Sequence, residues 1–155
     1  MPLHQPSRRA VLTAAIALPA SVVGASLLTA PAVAAAGPDG TGVVHGWQPL
    51  ALRPGVMAFD GDVSQARVVK IAGTDFLQLR GAIRCDFAGD APLGSLPAGL
   101  VVREPTRGVC PRNNHNGLNV CRVEADAQGR VVVLGATPTD KITWVRLDGF
   151  SSVLS

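Results

Sequence analysis

The sequence has no tyrosine and only two tryptophans, Trp47 and Trp144. Aromatic faces for stacking are therefore scarce, and the two tryptophans read as core anchors rather than as a sugar platform. It also has no basic stripe. Arginines and aspartates are interspersed along the chain, which argues against a nucleic-acid binder. Beyond residue 36 no stretch carries apolar residues at helical spacing, and no internal repeat is visible. Catalytic constellations are missing as well. Ser151-Ser152 lack the surroundings of a nucleophile elbow. Asp60 and Asp62 flank Gly61 as turn residues do, and neither His45 nor His115 has an orienting carboxylate nearby in sequence. No enzyme activity, cofactor or metal is expected.

The first 36 residues read as an export signal. Ser7-Arg8-Arg9 precedes an uncharged apolar run from Ala10 to Leu28, and small residues around Ala34 and Ala36 suit a signal peptidase. Arg8 and Arg9 resemble the twin-arginine motif of the Tat route, with Sec export as the alternative. Cleavage after Ala34 or Ala36 would leave contact with the membrane transient and the product secreted. A retained membrane span is the competing reading. Pro19, Gly24 and the many alanines make the run too weakly hydrophobic to favour it. Without Arg8 and Arg9 the 14 basic residues fall to 12, against 11 acidic ones, so the domain itself is nearly neutral.

Beyond the signal the chain is strand after strand. Residues 37–42 form a Gly-rich linker, and residues 43–155 the folded domain. From Leu77 to Phe87, apolar side chains fall on the odd positions and polar ones on nearly all the even positions. That period-two pattern belongs to a strand with one face on a core and one in water. Further strands are expected at Ala66–Ile71, Leu100–Arg103, Leu118–Ala125, Arg130–Gly135, Ile142–Leu147 and Phe150–Leu154. Ala88–Gly99, rich in Gly and Pro, reads as a loop. Pro49 marks an edge strand. Eight to ten short strands with turns every 8–12 residues predict an all-β antiparallel sandwich, jelly-roll-like in outline.

Three cysteines in an exported chain make a disulfide a reasonable expectation. Cys110 and Cys121 bracket the segment 111–117 almost symmetrically, so a hairpin centred near His115 would set them opposite each other and allow a bridge. Cys85, on the apolar side of its strand, reads as a small buried hydrophobe. Cys110, His115 and Cys121 lack the short spacings of a zinc site. The polar run Arg112-Asn113-Asn114-His115-Asn116 is explained least by folding. Its five hydrogen-bonding side chains are the candidate ligand contacts.

The succession Gly46-Trp47-Gln48-Pro49-Leu50, Leu77-Gln78-Leu79-Arg80-Gly81, Leu96-Pro97-Ala98-Gly99, Val123–Val131 and Trp144-Val145-Arg146-Leu147-Asp148-Gly149 resembles the C-terminal head domains of tail-fibre and minor tail proteins from phages of Gram-positive hosts. The resemblance spans residues 46–153. It implies an antiparallel β-sandwich that assembles as a trimer and binds cell-surface carbohydrate or protein. This chain differs from that pattern in its export signal, its three cysteines and the separation of Arg103 from Pro105. The expected function is a non-enzymatic surface-binding module. The alternatives are a monomeric lectin-like or inhibitor-like secreted protein and a small secreted hydrolase.

Overall fold

Gly81 is the corner on which the architecture turns. The computed structural model describes residues 40–59 and 61–154. The signal segment with Arg8 and Arg9, most of the linker, and Asp60 lie outside those residues. Twelve strands are present among them: β1 Gly42–Pro49, β2 Ala51–Leu52, β3 Met57–Ala58, β4 Gln65–Ile71, β5 Thr74–Arg80, β6 Ala82–Phe87, β7 Ala91–Ser95, β8 Thr106–His115, β9 Leu118–Ala125, β10 Arg130–Leu134, β11 Ile142–Arg146 and β12 Ser151–Val153. They form a four-stranded sheet in the order β1-β4-β5-β12 and an eight-stranded sheet in the order β2-β7-β10-β9-β8-β11-β6-β3. Every strand pair is antiparallel. The expected all-β antiparallel fold is what the chain adopts. No helix among the described residues is long and apolar enough to cross a membrane.

The alternating stretch 77–87 is two strands rather than one. β5 belongs to the four-stranded sheet and β6 to the eight-stranded sheet, with Gly81 between them at φ +97°. A side chain there would meet Ser64 Cα at 2.8 Å and the Val63 carbonyl oxygen at 2.9 Å, so only glycine fits the crossing. The alternation nevertheless survives the corner. Leu77, Leu79, Ile83 and Phe87 are all buried in one core, with Cys85 packed against it. Both sheets turn their apolar sides toward the same interior, so the period-two pattern passes from one sheet to the other without interruption.

Two tight hairpins set the registers. Ala72-Gly73 joins β4 to β5, and Asn116-Gly117 joins β8 to β9, each with both residues at positive φ. That conformation matches the right-handed twist of paired strands. The Asp126–Gly129 turn forms as its sequence suggests, the Asp126 carboxylate accepting from the N–H groups of Gln128 and Arg130. Pro49 ends β1, which is an edge strand as expected.

Three expectations fail for local reasons. Residues 88–99 are not all loop: β7 runs through them and pairs with β10 and β2. Pro92 pairs with Val132 of β10, at a register shift in that ladder, and lies beyond the two residues of β2 that reach β7, so its other side is an edge, where proline is tolerated. Gly94 lets Ala51 approach so closely that a Cβ would fall 2.2 Å from its carbonyl oxygen. Residues 100–103 form no strand, although Leu100 and Val102 are buried. Nor do the tryptophans anchor the core. Trp47 and Trp144 are half-buried, and the aromatic core residues are Phe87 and Phe150. Phe150 packs over Gly108, whose Cβ position lies 2.7 Å from the ring.

Candidate binding site

The polar run 112–116 is the end of a strand and a two-residue turn, not a loop. Its five residues divide into two groups. Arg112 lies on the inward side of β8 and is only 2 % exposed. Its guanidinium donates to both carboxylate oxygens of Asp140, Nη2 to Oδ1 at 2.6 Å and Nη1 to Oδ2 at 3.1 Å. Nη2 also donates to the Lys141 carbonyl at 2.9 Å, and Nε to the Asn113 carbonyl at 3.1 Å. Four of its five N–H donors are engaged, and at this depth the paired charge is a structural clamp out of a ligand's reach.

Asn113 is engaged too, on both sides of its amide. β8 and β11 share a single register pair, Val145 with Arg112. Beyond it the Asn113 side-chain amide takes the place of a strand, donating to the Lys141 carbonyl at 2.9 Å and accepting from the Thr143 N–H at 2.8 Å. Both groups would otherwise lack a ladder partner on that side. The remaining three residues, Asn114, His115 and Asn116, stand exposed at the hairpin tip.

Cys110 and Cys121 are direct cross-strand partners, as the hairpin reading requires. They are not joined, however: all three cysteines are free thiols in the structure. The Cys121 thiol donates to the Cys110 carbonyl oxygen at 3.6 Å. Burial pushes the thiols of Cys85 and Cys110 up to about 12, the neighbouring Cys121 adding to it, and burial raises Cys121 to about 11. The Cys85 thiol, half-buried, donates to the Ile142 carbonyl at 3.3 Å. No group of His, Cys, Asp or Glu among the described residues is arranged to hold a metal ion.

A second constellation is not visible in the sequence. On the outer face of the four-stranded sheet, the guanidinium carbons of Arg67 and Arg80 lie 4.5 and 4.3 Å from the centroid of the Trp47 ring. Each arginine is oriented by a glutamine across the strand pair. Arg67 Nε donates to Gln78 Oε1 at 2.8 Å. Arg80 reaches Gln65 Oε1 through Nε, at 2.8 Å, and through Nη2. The register accounts for this, because Arg67 pairs with Gln78 and Gln65 with Arg80.

Neither arginine has a carboxylate partner among the described residues, whereas Arg107, Arg112, Arg130 and Arg146 all do. Two cations are thus held against an aromatic ring by neutral groups, with their charge uncompensated. Hollows of about 380 and 270 Å³ adjoin on this face and share Arg67 and Gln78 in their walls. In the sequence these residues look like the solvent side of two strands. Only the pairing of β1, β4 and β5 collects them around Trp47.

No protein-family model matches the chain, and no curated protein matches it. Solved structures do. The receptor-binding protein gp15 of Listeria phage PSA superposes with a TM-score of 0.52 at 16 % identity, covering 72 % of this chain and 67 % of that one. The receptor-binding head domain of lactococcal phage bIL170 superposes with a TM-score of 0.50 at 19 % identity, covering 72 % of this chain and 99 % of that one. At such identities the likeness establishes the fold alone. The domain is built as phage receptor-binding heads are.

Proposed function

We propose that this chain is an exported, non-enzymatic module that binds carbohydrate or protein on a cell surface, with the outer face of the four-stranded sheet as its main contact. The observation that carries this reading is the Trp47–Arg67–Arg80 cluster beside two adjoining hollows. An open, preorganised face with an aromatic ring and uncompensated donors offers what a polar surface ligand needs, hydrogen bonds and apolar area together. Structural kinship with two phage proteins described as receptor-binding supports the same reading. The exposed tip residues Asn114, His115 and Asn116 form a second contact region, and the chain assembles as a homotrimer like the heads it resembles. Arg8 and Arg9 direct it through the Tat route, so it folds before it crosses the membrane.

The test is binding of labelled protein to intact bacterial cells and to a glycan array, before and after the double change Arg67→Ala, Arg80→Ala. A loss of about tenfold or more, with an unchanged unfolding midpoint, is expected if these arginines contact the ligand. Undiminished binding would remove this face from the site. Light scattering on the eluted protein measures the oligomeric state, and a monomer at micromolar concentration excludes the trimer. Export is tested by changing Arg8 and Arg9 to Lys, which should strand the precursor in the cytoplasm.

A further inference from the structure

The Trp47 face is one-sided in its hydrogen-bonding chemistry. After their bonds to Gln78 and Gln65, Arg67 keeps four of its five N–H groups and Arg80 keeps three. The acceptors nearby are already engaged. The side-chain oxygens of Gln65 and Gln78 accept from those two arginines. Ser151 Oγ accepts from the Gln78 amide at 3.4 Å. Among the described residues, Asp148 is the one carboxylate that lines either hollow. Its Oδ1 accepts from the Gly81 N–H and its Oδ2 from Arg146.

The cations divide just as clearly. Lys70, in the wall of the larger hollow, is paired with Asp75 at 3.2 Å. Arg67 and Arg80 are the two left over, both within 4.5 Å of one ring centroid. From Arg67 the larger hollow runs along Val43, Val69 and Ile71, so an aliphatic floor adjoins the charges.

We infer that this face binds an organic phosphate monoester. Such a group is nearly doubly charged at neutral pH, which matches two uncompensated cations, and its three terminal oxygens can accept from both guanidinium forks at once. A planar carboxylate brings one charge and two oxygens, which a single arginine satisfies. A neutral polyol brings hydroxyl donors for which the face holds no open acceptor. Stacking on Trp47 and the glutamine bonds already orient the arginines, so little side-chain freedom is lost on binding. The carbon skeleton of the ester lies on Val43, Val69 and Ile71, apolar area that free phosphate leaves uncovered. The inference deepens the proposed function and rests on that reading for the surface that displays the ester, not for the anion itself.

The experiment is a titration of the ¹⁵N-labelled chain at constant ionic strength with butyl phosphate, inorganic phosphate, pentanoate and butanol, each to tens of millimolar, as weak small-ligand sites require. Butyl phosphate should saturably shift the Trp47 indole N–H and the amides of residues 65–67 and 78–80. Inorganic phosphate should bind about tenfold more weakly, having no chain to bury. Pentanoate, with one charge and one fewer oxygen, should also lose about tenfold. Butanol should shift nothing. Arg67→Ala and Arg80→Ala should each weaken butyl phosphate about tenfold or more, by removing hydrogen bonds to a charged group. Gln78→Glu keeps an acceptor for Arg67 Nε and sets a carboxylate beside it. That variant should unfold at an equal or higher urea concentration and abolish the shifts.

Absence of shifts with butyl phosphate overturns the inference, as does binding that Gln78→Glu leaves unaltered. Pentanoate binding as tightly as butyl phosphate overturns the dianion, and inorganic phosphate binding as tightly overturns the ester. Cell binding lost in Arg67→Ala, Arg80→Ala but kept in Gln78→Glu overturns the anionic ligand and leaves the surface-binding reading standing. Saturable phosphate shifts, with cell binding untouched by every variant, uphold the phosphate site and remove this face from the proposed function.

Discussion

The backbone N–H of Gly81 donates to Asp148 Oδ1 at 2.9 Å, and the Gly81 carbonyl accepts from the Leu147 N–H at 2.7 Å. These two bonds fasten the corner between the sheets to the segment that leads from β11 into β12. The same carboxylate holds Arg146 through its other oxygen, at 3.1 Å. One aspartate therefore fixes the crossing point of a chain that passes from one sheet to the other.

Gly81→Ala combines a positive φ with a clash against the backbone of Ser64, and should cost about 2–4 kcal/mol. Asp148→Ala removes one hydrogen-bond acceptor at a partly exposed site, and should cost about 1 kcal/mol. Urea unfolding measures both. If Asp148→Ala proved the more damaging, the corner would be held by its carboxylate and not by glycine's freedom.

The run 112–116 should behave as two unlike halves. Arg112→Ala leaves the Asp140 carboxylate beside an empty buried space, at about 3–5 kcal/mol. Asn113→Ala strips the Lys141 carbonyl and the Thr143 N–H of a partner, at about 1–2 kcal/mol. Asn114→Ala and His115→Ala, both exposed, should stay within about 0.5 kcal/mol. Thermal unfolding of the four variants checks the division, and equal losses at all four positions would contradict it.

The three thiols should resist alkylation in the native protein. With Cys85 and Cys110 at about 12 and Cys121 at about 11, hardly any thiolate is present at pH 8. Iodoacetamide at that pH should label the folded chain slowly and the urea-unfolded chain three times. The linkage also has a definite sign. A thiol whose pKa is raised by folding makes no difference below its unfolded value of about 8.5. Above that pH the unfolded chain ionises first, so stability should fall progressively toward the folded values of 11 to 12. Mass spectrometry under non-reducing conditions would reveal a Cys110–Cys121 bridge directly; rapid native labelling at Cys121 would count against the buried placement.

Much of the fold was legible because alternation and turn chemistry are local. Asn116-Gly117 and the Asp126–Gly129 turn could be read from a few residues each, and so could the apolar positions from Leu77 to Phe87. Gly81 could not, since one unbroken alternation serves equally for a single long strand and for two strands facing a shared core. β7 was hidden for a related reason. Pro92 and Gly94 are poor strand residues that become suitable at an edge and at a close approach, and both features depend on where β2 and β10 lie. The candidate contacts divide in the same way. The run 112–116 stands out by polarity, yet polarity alone does not separate the clamped Arg112 from the exposed His115.

By itself, the sequence determined an all-β antiparallel domain, the hairpin near His115 and which side of the stretch 77–87 faces the interior, because each depends on neighbours within a few residues. The tertiary structure alone decided that the chain changes sheets at Gly81, that Arg112 serves the core, and that Trp47, Arg67 and Arg80 share one face. Those outcomes depend on pairings between segments distant along the chain, and side chains from separate strands become neighbours only when the sheets close.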